Sequence, residues 1–338
     1  MFSFLDSCPV LGGISTPMKP VTSIKKFKEG AKVQGFFLCT AKHLRHTRSG
    51  DLYLDVTLRD QTGQINGKIW DKVSELNDLF FAGDAVVASG KVETFMERPQ
   101  LVVQKIKTAT VKSYGRYGFD PAKIVPSSRR NPVKMWEEIT QIIKGMKNPH
   151  LQQLVSKIYR QNKKKILIHP ASVKMHHNYR SGFMEHTLSM ARIAKRLSSH
   201  YKMDRDLLLA GVFLHDIGKI REINSEYEAD YTDEGKLIGH ISIGRQMVHD
   251  EIQTIKKFPE DLALKIEHMV LSHQGRYEWQ SPKKPKFREA LLLHMIDNLD
   301  ASINLMDIAI TEDQDEGKFT SRHNYFRIPI LKESDGTK

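Results

Sequence analysis

Four polar side chains interrupt stretches that are otherwise apolar and spaced for helices: His186, His215, Asp216 and Asp297. His215-Asp216 ends the run Leu207–Leu214, LLLAGVFL, and is followed by Ile217, Gly218 and Lys219. A helix apolar on every face belongs in a core. An imidazole and a carboxylate are costly there unless they are paired or bound to metal. For one His-Asp pair alone, a satisfied core histidine with a capping carboxylate explains as much. His186 adds weight, because it shares the apolar stripe of Phe183, Met190, Ile193, Ala194 and Leu197. Asp297 adds more, embedded in Leu291–Asp300. Two imidazoles and two carboxylates make a mixed nitrogen and oxygen set. It suits six-coordinate manganese, magnesium, iron or cobalt better than a closed zinc site. A cation so held acidifies a bound water and offsets charge on a phosphoryl group. His240 and His273, each at a helix end, extend the set toward a second ion with Asp216 as the bridge; His268, inside a helix, is a weaker addition. Gly218 reads as the residue that stops the helix.

The elements that must carry these groups are mostly helices beyond residue 180. The last long one contains Leu291–Asp300, and Glu222 to Lys236, with six acidic residues, reads as a loop. Asn131-Pro132 reads as N-cap and first turn of an earlier helix, and Asn148-Pro149 breaks that helix. From Ala31 to about Val111 the pattern changes to strands, with Asp60-Gln61-Thr62-Gly63 as a turn and a short helix within Asp71–Phe81. Five strands with one helix between the third and fourth match the small Greek-key barrel known as the OB-fold. Such barrels hold single strands on stacking aromatics and basic rims. Phe37, Tyr53, Trp70 and Phe95, with Lys42, Arg45, Arg48 and Lys68, are the candidates, though most of the aromatics are expected to fill so small a barrel.

The fold expected is therefore multidomain: an N-terminal five-stranded OB-fold β-barrel and then an all-α helical bundle. The boundaries read are an irregular lead-in at 1–22, the barrel at 23–111, a linker at 112–130, the helical domain at 131–310 and a polar tail at 311–338. Net charge is +12, but residues 112–182 alone carry 15 basic and 3 acidic groups. A basic block of that density beside a metal-type set points to a polyanion, nucleic acid first. Cys8 and Cys39 are too few for a disulfide framework or a thiolate zinc site. No basic start followed by a long apolar run suggests a signal peptide, and no 18-residue apolar stretch suggests a membrane span. A reducing cytoplasm is the default expectation.

His186, His215-Asp216 and Asp297 together match the H…HD…D signature of the HD-domain phosphohydrolases. The wider string runs His176-His177, Gly182-Phe183-Met184-Glu185-His186-Thr187, HDIGK, Gly239-His240, Leu271-Ser272-His273, Ser281-Pro282 and Asp297-Asn298-Leu299-Asp300-Ala301. With Gly50–Leu54, Asp60–Ile65 and Ile69-Trp70-Asp71 in the barrel, it resembles the YhaM-type 3′-to-5′ exoribonucleases over roughly residues 20–310. That resemblance implies a divalent metal, manganese before magnesium, iron or cobalt, as one or two ions. It implies that His186, His215, Asp216 and Asp297 bind the first ion, and His240 and His273 a second. Asp216 and Lys219 are then the catalytic residues, Lys219 facing the scissile phosphate; an ordinary helix C-terminal lysine is the other explanation for it. His176, His177 and Arg180 are implied as substrate contacts, with His268 beside them, and Asp300 and His294 as residues that orient a ligand. One departure stands out: the family shows His-His-Gly where this chain has His273-Gln274-Gly275, which would weaken a second metal site if the second histidine were a ligand.

The function expected is metal-dependent 3′-to-5′ hydrolysis of single-stranded RNA, with single-stranded DNA as a further substrate, to nucleoside monophosphates. A homo-oligomer stays open. The alternatives are a phosphohydrolase of free nucleotides or cyclic dinucleotides, and a non-catalytic nucleic-acid-binding protein.

Overall fold

Residues 23–224, 227 and 229–332 are described by a computed structural model. The lead-in at 1–22, with Cys8, and the last six residues of the tail lie outside them. The chain divides into two units, Met1–Ser127 and Ser128–Lys338.

The first unit is a closed barrel of β1 (Lys32–His46), β2 (Leu52–Asp60), β3 (Gly63–Ile69), β4 (Ala85–Phe95) and β5 (Arg98–Thr108) in the order β1-β2-β3-β5-β4. Strand β1 is long because it pairs twice. Lys32–Leu38 runs antiparallel to β4 and Leu38–His46 antiparallel to β2, with a bulge between Cys39 and Ala41 that bends the strand. The parallel pairing of β3 with β5 closes the ring. Alternate residues Leu54, Val56 and Leu58 of β2 point inward, joined by Phe37, Ile65, Ile69, Val86, Val92 and Leu101. The short helix α1 (Val73–Asn77) lies between β3 and β4, where the sequence places it.

The stretch expected to be a linker is folded. It holds α2 (Val111–Tyr114) and two short 3₁₀ turns, and Tyr114, Phe119, Ile124 and Val125 are buried. Phe36 packs against Tyr114 and Phe119 at ring separations of 5.9 and 5.0 Å.

The second unit is helical: α3 (Pro132–Lys144), α4 (Pro149–Gln161), α5 (Lys163–Ile166), α6 (Gly182–Tyr201), α7 (Arg205–Leu214), α8 (Lys219–Glu222), α9 (Asp233–Ile238), α10 (His240–Gln253), α11 (Glu260–Ser272) and α12 (Arg288–Glu312). Asn131 and Asn148 cap α3 and α4 through their side-chain oxygens, each with proline at the first helical position. Every residue of α7 from Leu207 to Leu214 is buried, because α4, α6, α11 and α12 surround it. In the stretch expected as a loop after Lys219, the described residues include a two-stranded pairing, β6 (Ile223–Asn224) with β7 (Asp230–Tyr231), followed by α9. Gly218 does not stop α7. It adopts helical angles, and a Cβ there would lie 2.0 Å from the His240 carbonyl oxygen. Its role is to let the start of α10 press against the chain just after His215-Asp216. The polar tail docks in part: Ile330 is buried, and Phe319 bridges Leu331. Among the described residues no helix is long and apolar enough to cross a membrane.

Candidate metal centre

The end of the buried helix α7 is where the centre forms. His215 and Asp216 continue its turn at 1% and 2% exposure. His215 Nδ1–H donates to the Val212 carbonyl three residues back, at 2.8 Å, so its Nε2 lone pair faces the site. His273, at the end of α11, repeats the device with the Val270 carbonyl, also at 2.8 Å. His186 on α6 donates Nδ1–H to Asp300 Oδ2 at 2.8 Å. His240, opening α10, places Nδ1 3.1 Å from Glu222 Oε1, which also accepts from its backbone N–H at 2.9 Å. Four imidazoles from four elements thus each have Nδ1 engaged and Nε2 turned the same way. An outer partner of this kind fixes ring and tautomer for metal binding.

The carboxylates stand between them. Asp216 Oδ1 is 3.5 Å from Nε2 of both His240 and His273, while Oδ2 is 3.3 Å from His215 Nε2 and 2.6 Å from Lys219 Nζ. Asp297 Oδ1 lies 3.2 Å from His186 Nε2 and 3.9 Å from His215 Nε2. Among the described residues four clusters share these groups: His186, His215 and Asp216; Asp216, His240 and His273; His176, His186 and Asp297; and His177, His186 and Asp300, the last already tied together by hydrogen bonds. Asp216 therefore faces two histidine sets, one with each oxygen.

The donor set fits a divalent cation on this geometry. His186 Nε2, His215 Nε2, His240 Nε2 and Asp216 Oδ1 are buried without a hydrogen-bond partner. Buried polar atoms are seldom left so unless something else satisfies them. The local charge agrees. Burial opposes protonation of His186, yet the carboxylates of Asp297 and Asp300 outweigh it and raise its pKa to about 9. A cation there takes the place of that proton. Burial likewise opposes ionisation of Asp216, but Lys219 and His215 hold it well below the usual carboxylate range. Burial would neutralise Lys219, and Asp216 keeps it charged.

A pocket of about 330 Å³ opens onto these groups. Its floor includes His176, Lys219, His240 and Asp297; its walls include Trp279, Tyr231, Tyr325, Gln274, Gln280 and Asn298. Arg276 lies over the Trp279 ring at 4.8 Å. Gln274 Nε2 sits 3.3 Å from His273 Nε2, beside the second histidine set.

Several expected roles change. His177 is no substrate contact: both ring nitrogens are engaged, Nδ1 with the Tyr179 hydroxyl at 2.7 Å and Nε2 with Asp300 at 3.0 Å. Arg180 does not line the pocket; its carbonyl accepts from Ser128 N at 2.9 Å. His268 is also outside the pocket, accepting from Lys286 N at 3.1 Å and packed on Phe287. Asp300 orients His186, and His294 braces the site differently, through the His273 carbonyl at 2.9 Å. Lys219 begins the short helix α8 rather than ending a helix. Glu222 and the aromatics of the pocket wall were not singled out from sequence. Glu222 lies one turn past Lys219, the only spacing signal it offers.

On the barrel, Phe37 is fully buried in the core and leaves the set of stacking candidates. Lys42 leaves the basic rim: its amine is held by the Asn77 and Phe80 carbonyls at the end of α1. Tyr53 and Trp70 remain at the surface, stacked at 4.8 Å, with Lys68 over Tyr53 at 5.2 Å. Asp55 anchors Lys68 at 2.8 Å and Arg45 at 3.1 Å. Phe95 and Arg48 are exposed.

Comparison with known proteins follows the same division. Residues 183–302 match the model of the HD domain, and residues 40–109 that of an OB-fold nucleic acid binding domain. The second OB-fold domain of replication protein A from Methanococcus maripaludis is similar to 26% of this chain over 92% of its own, at 18% identity and a TM-score of 0.22. The mitochondrial single-stranded DNA binding protein Rim1 of S. cerevisiae is similar to 25% of this chain over 98% of its own, at 12% identity and a TM-score of 0.22. The 3′-5′ exoribonuclease YhaM of Halalkalibacterium halodurans is 35% identical over 300 residues, 88% of this chain and 91% of that protein. With both domain types in the same order and that identity along the chain, this protein belongs to the YhaM family of 3′-to-5′ exoribonucleases.

Proposed function

We propose that this protein is a manganese-dependent 3′-to-5′ exoribonuclease that shortens single-stranded RNA one nucleotide at a time, in the cytoplasm. The observation that carries the reading is Asp216, buried with one oxygen toward His215 and the other toward His240 and His273, next to Lys219 and His240, which line a pocket with aromatic walls. A bound divalent cation supplies an acidified water and a counter-charge for the phosphate. His186, His215, Asp216 and Asp297 would hold the first such ion; Asp216, His240 and His273 would hold a second.

The rest is work for the chain's own side chains. Asp300 and the Val212 carbonyl keep His186 and His215 in the tautomer that leaves Nε2 available. Lys219, held charged by Asp216, places a fixed positive charge on the pocket floor, where the scissile phosphate enters. Trp279 offers a face for the terminal base, and such stacking is tolerant of base identity. On the barrel, the Tyr53–Trp70 pair with Lys68 and Arg45 offers a second platform for the strand. The basic block at 112–182 adds phosphate contacts, so RNA affinity falls as salt rises.

The deciding experiment uses oligoribonucleotides labelled at the 5′ end, with the 3′ end free or blocked by phosphate. The reading expects a ladder growing from the free 3′ end, nucleoside monophosphates as products, a requirement for manganese and slower digestion of the blocked strand. Preferential turnover of mononucleotides or cyclic dinucleotides, or digestion from the 5′ end, would overturn it.

A further inference from the structure

His176 and His177 are neighbours in sequence and opposites in the fold. His177 has both ring nitrogens engaged. His176 Nε2 is buried and has no hydrogen-bond partner. An imidazole nitrogen left bare in a polar cluster costs free energy that something must offset. His176, His186 and Asp297 each present a ligand atom within 4.8 Å of the others, and the His176 and His186 rings are 5.1 Å apart. We infer that His176 is a fifth protein ligand of the cation held by His186, His215, Asp216 and Asp297. The inference rests on the metal-centre reading and adds a donor that the H…HD…D signature does not contain.

The backbone around His176 is held as a ligand loop needs to be. Ser172 Oγ donates to the His176 carbonyl at 2.9 Å and accepts from Met175 N at 2.9 Å. Ala171 N donates to the His177 carbonyl at 3.0 Å, and His177 N to Asn304 Oδ1 of α12 at 2.8 Å. His177 itself takes a left-handed φ of +48°, rare for a residue with a Cβ. Gly182, the first residue of α6, lies so close that a Cβ would fall 2.1 Å from the His177 carbonyl oxygen. Strain of this sort persists where the surroundings over-determine it. Its effect is to turn His177 toward Asp300 and His176 toward His186 and Asp297.

The consequence is an uneven centre. One cation draws on His176, His186, His215, Asp216 and Asp297; the other draws on Asp216, His240 and His273. For six-coordinate ions, the first is nearly filled by protein and the second is open.

The test reads cation binding first and RNA turnover beside it. Apo protein and the variants His176→Ala and His176→Gln are titrated with Co²⁺, followed by visible absorption and calorimetry. The glutamine variant fills the same space, and melting curves report on folding for both. The expectation is that one of two Co²⁺ equivalents binds at least tenfold more weakly in both variants, by analogy with the 10–100-fold cost of losing even an outer partner. The Co²⁺ spectrum changes, and added imidazole restores it in His176→Ala. Unchanged Co²⁺ affinity and spectrum in both variants, with only KM for RNA raised, would make His176 a substrate contact and overturn the inference. A wild-type protein that binds Co²⁺ but leaves RNA intact would sink the exonuclease reading while His176 is still decided. A wild-type protein that takes up no Co²⁺ would sink both.

Discussion

Asp300→Asn changes one oxygen to an amide nitrogen and leaves every cation ligand in place. Asp300 Oδ2 accepts from His186 Nδ1 at 2.8 Å and from His177 Nε2 at 3.0 Å, one helical turn past Asp297. Burial opposes its ionisation, yet His177 and His186 hold its carboxyl well below the usual range. It is therefore a charged acceptor at neutral pH. A hydrogen bond to a charged group is worth about 1.5–3 kcal/mol, against about 0.5–1.5 for a neutral one. Only the bond to His186 bears directly on the cation, so asparagine should cost about 1–2 kcal/mol there. That is roughly tenfold in cation affinity, at the low end of the 10–100-fold expected of such partners. The assay is a manganese titration by calorimetry, with RNA hydrolysis followed in parallel. The midpoint for manganese should rise about tenfold, while kcat at saturating manganese is largely kept. An unchanged midpoint, in a variant that melts like the wild type, would refute the idea that Asp300 works through His186. So would a loss of activity that manganese cannot restore.

Trp279→Ala removes one of the three aromatic side chains in the pocket wall beside the metal cluster. Base stacking is worth about 1–3 kcal/mol, so KM for RNA should rise about 5- to 150-fold, with Trp279→Phe recovering most of it; equal KM values would exclude stacking there. Gly218→Ala places a methyl group 2.0 Å from the His240 carbonyl oxygen. Overpacking of this kind costs about 1–3 kcal/mol, so denaturant midpoints should fall and binding of the second cation should weaken with them; a neutral substitution would show that α10 can shift freely. His169 is buried between the Pro170 and Ile223 carbonyls, and burial lowers its pKa from the ordinary 6.5. The unfolded chain then takes up the proton first as pH falls through 6.5, so the contribution is fully present above that pH and is lost below it. Wild type should lose more stability than His169→Gln between pH 7.5 and 5.5, measured by urea unfolding; parallel losses would remove the assignment.

How much of this was legible beforehand depended on contrast. His186, His215-Asp216 and Asp297 stood out because each breaks an apolar helix, and burial makes such a break expensive. The barrel was legible because β2 alternates cleanly and its turn residues are specific. Phe37 was misread as a stacking candidate because sequence does not say which face of β1 points inward once a bulge intervenes. Lys42 looked like rim charge, but its amine is consumed by carbonyls at the end of α1, contacts 35 and 38 residues away. Gly218 looked like a helix stop because glycine often is one; its real constraint is the α10 backbone, invisible along the chain. His176 and His177 could not be told apart in sequence. A single left-handed residue sends one ring to Asp300 and the other into the cluster. The acidic stretch after Lys219 hid Glu222, whose partner His240 lies 18 residues on.

The proposed activity depends on Asp216 joining two histidine sets around divalent cations that the reaction requires. It is tested most directly on Asp216→Asn, by measuring cation content together with the binding and hydrolysis of 5′-labelled single-stranded RNA on the same sample. Cations should be lost, hydrolysis should stop and RNA should still bind with close to wild-type affinity. An Asp216→Asn protein that digests RNA at the wild-type rate, or a wild-type protein that stays fully active after its cations are stripped, would contradict it.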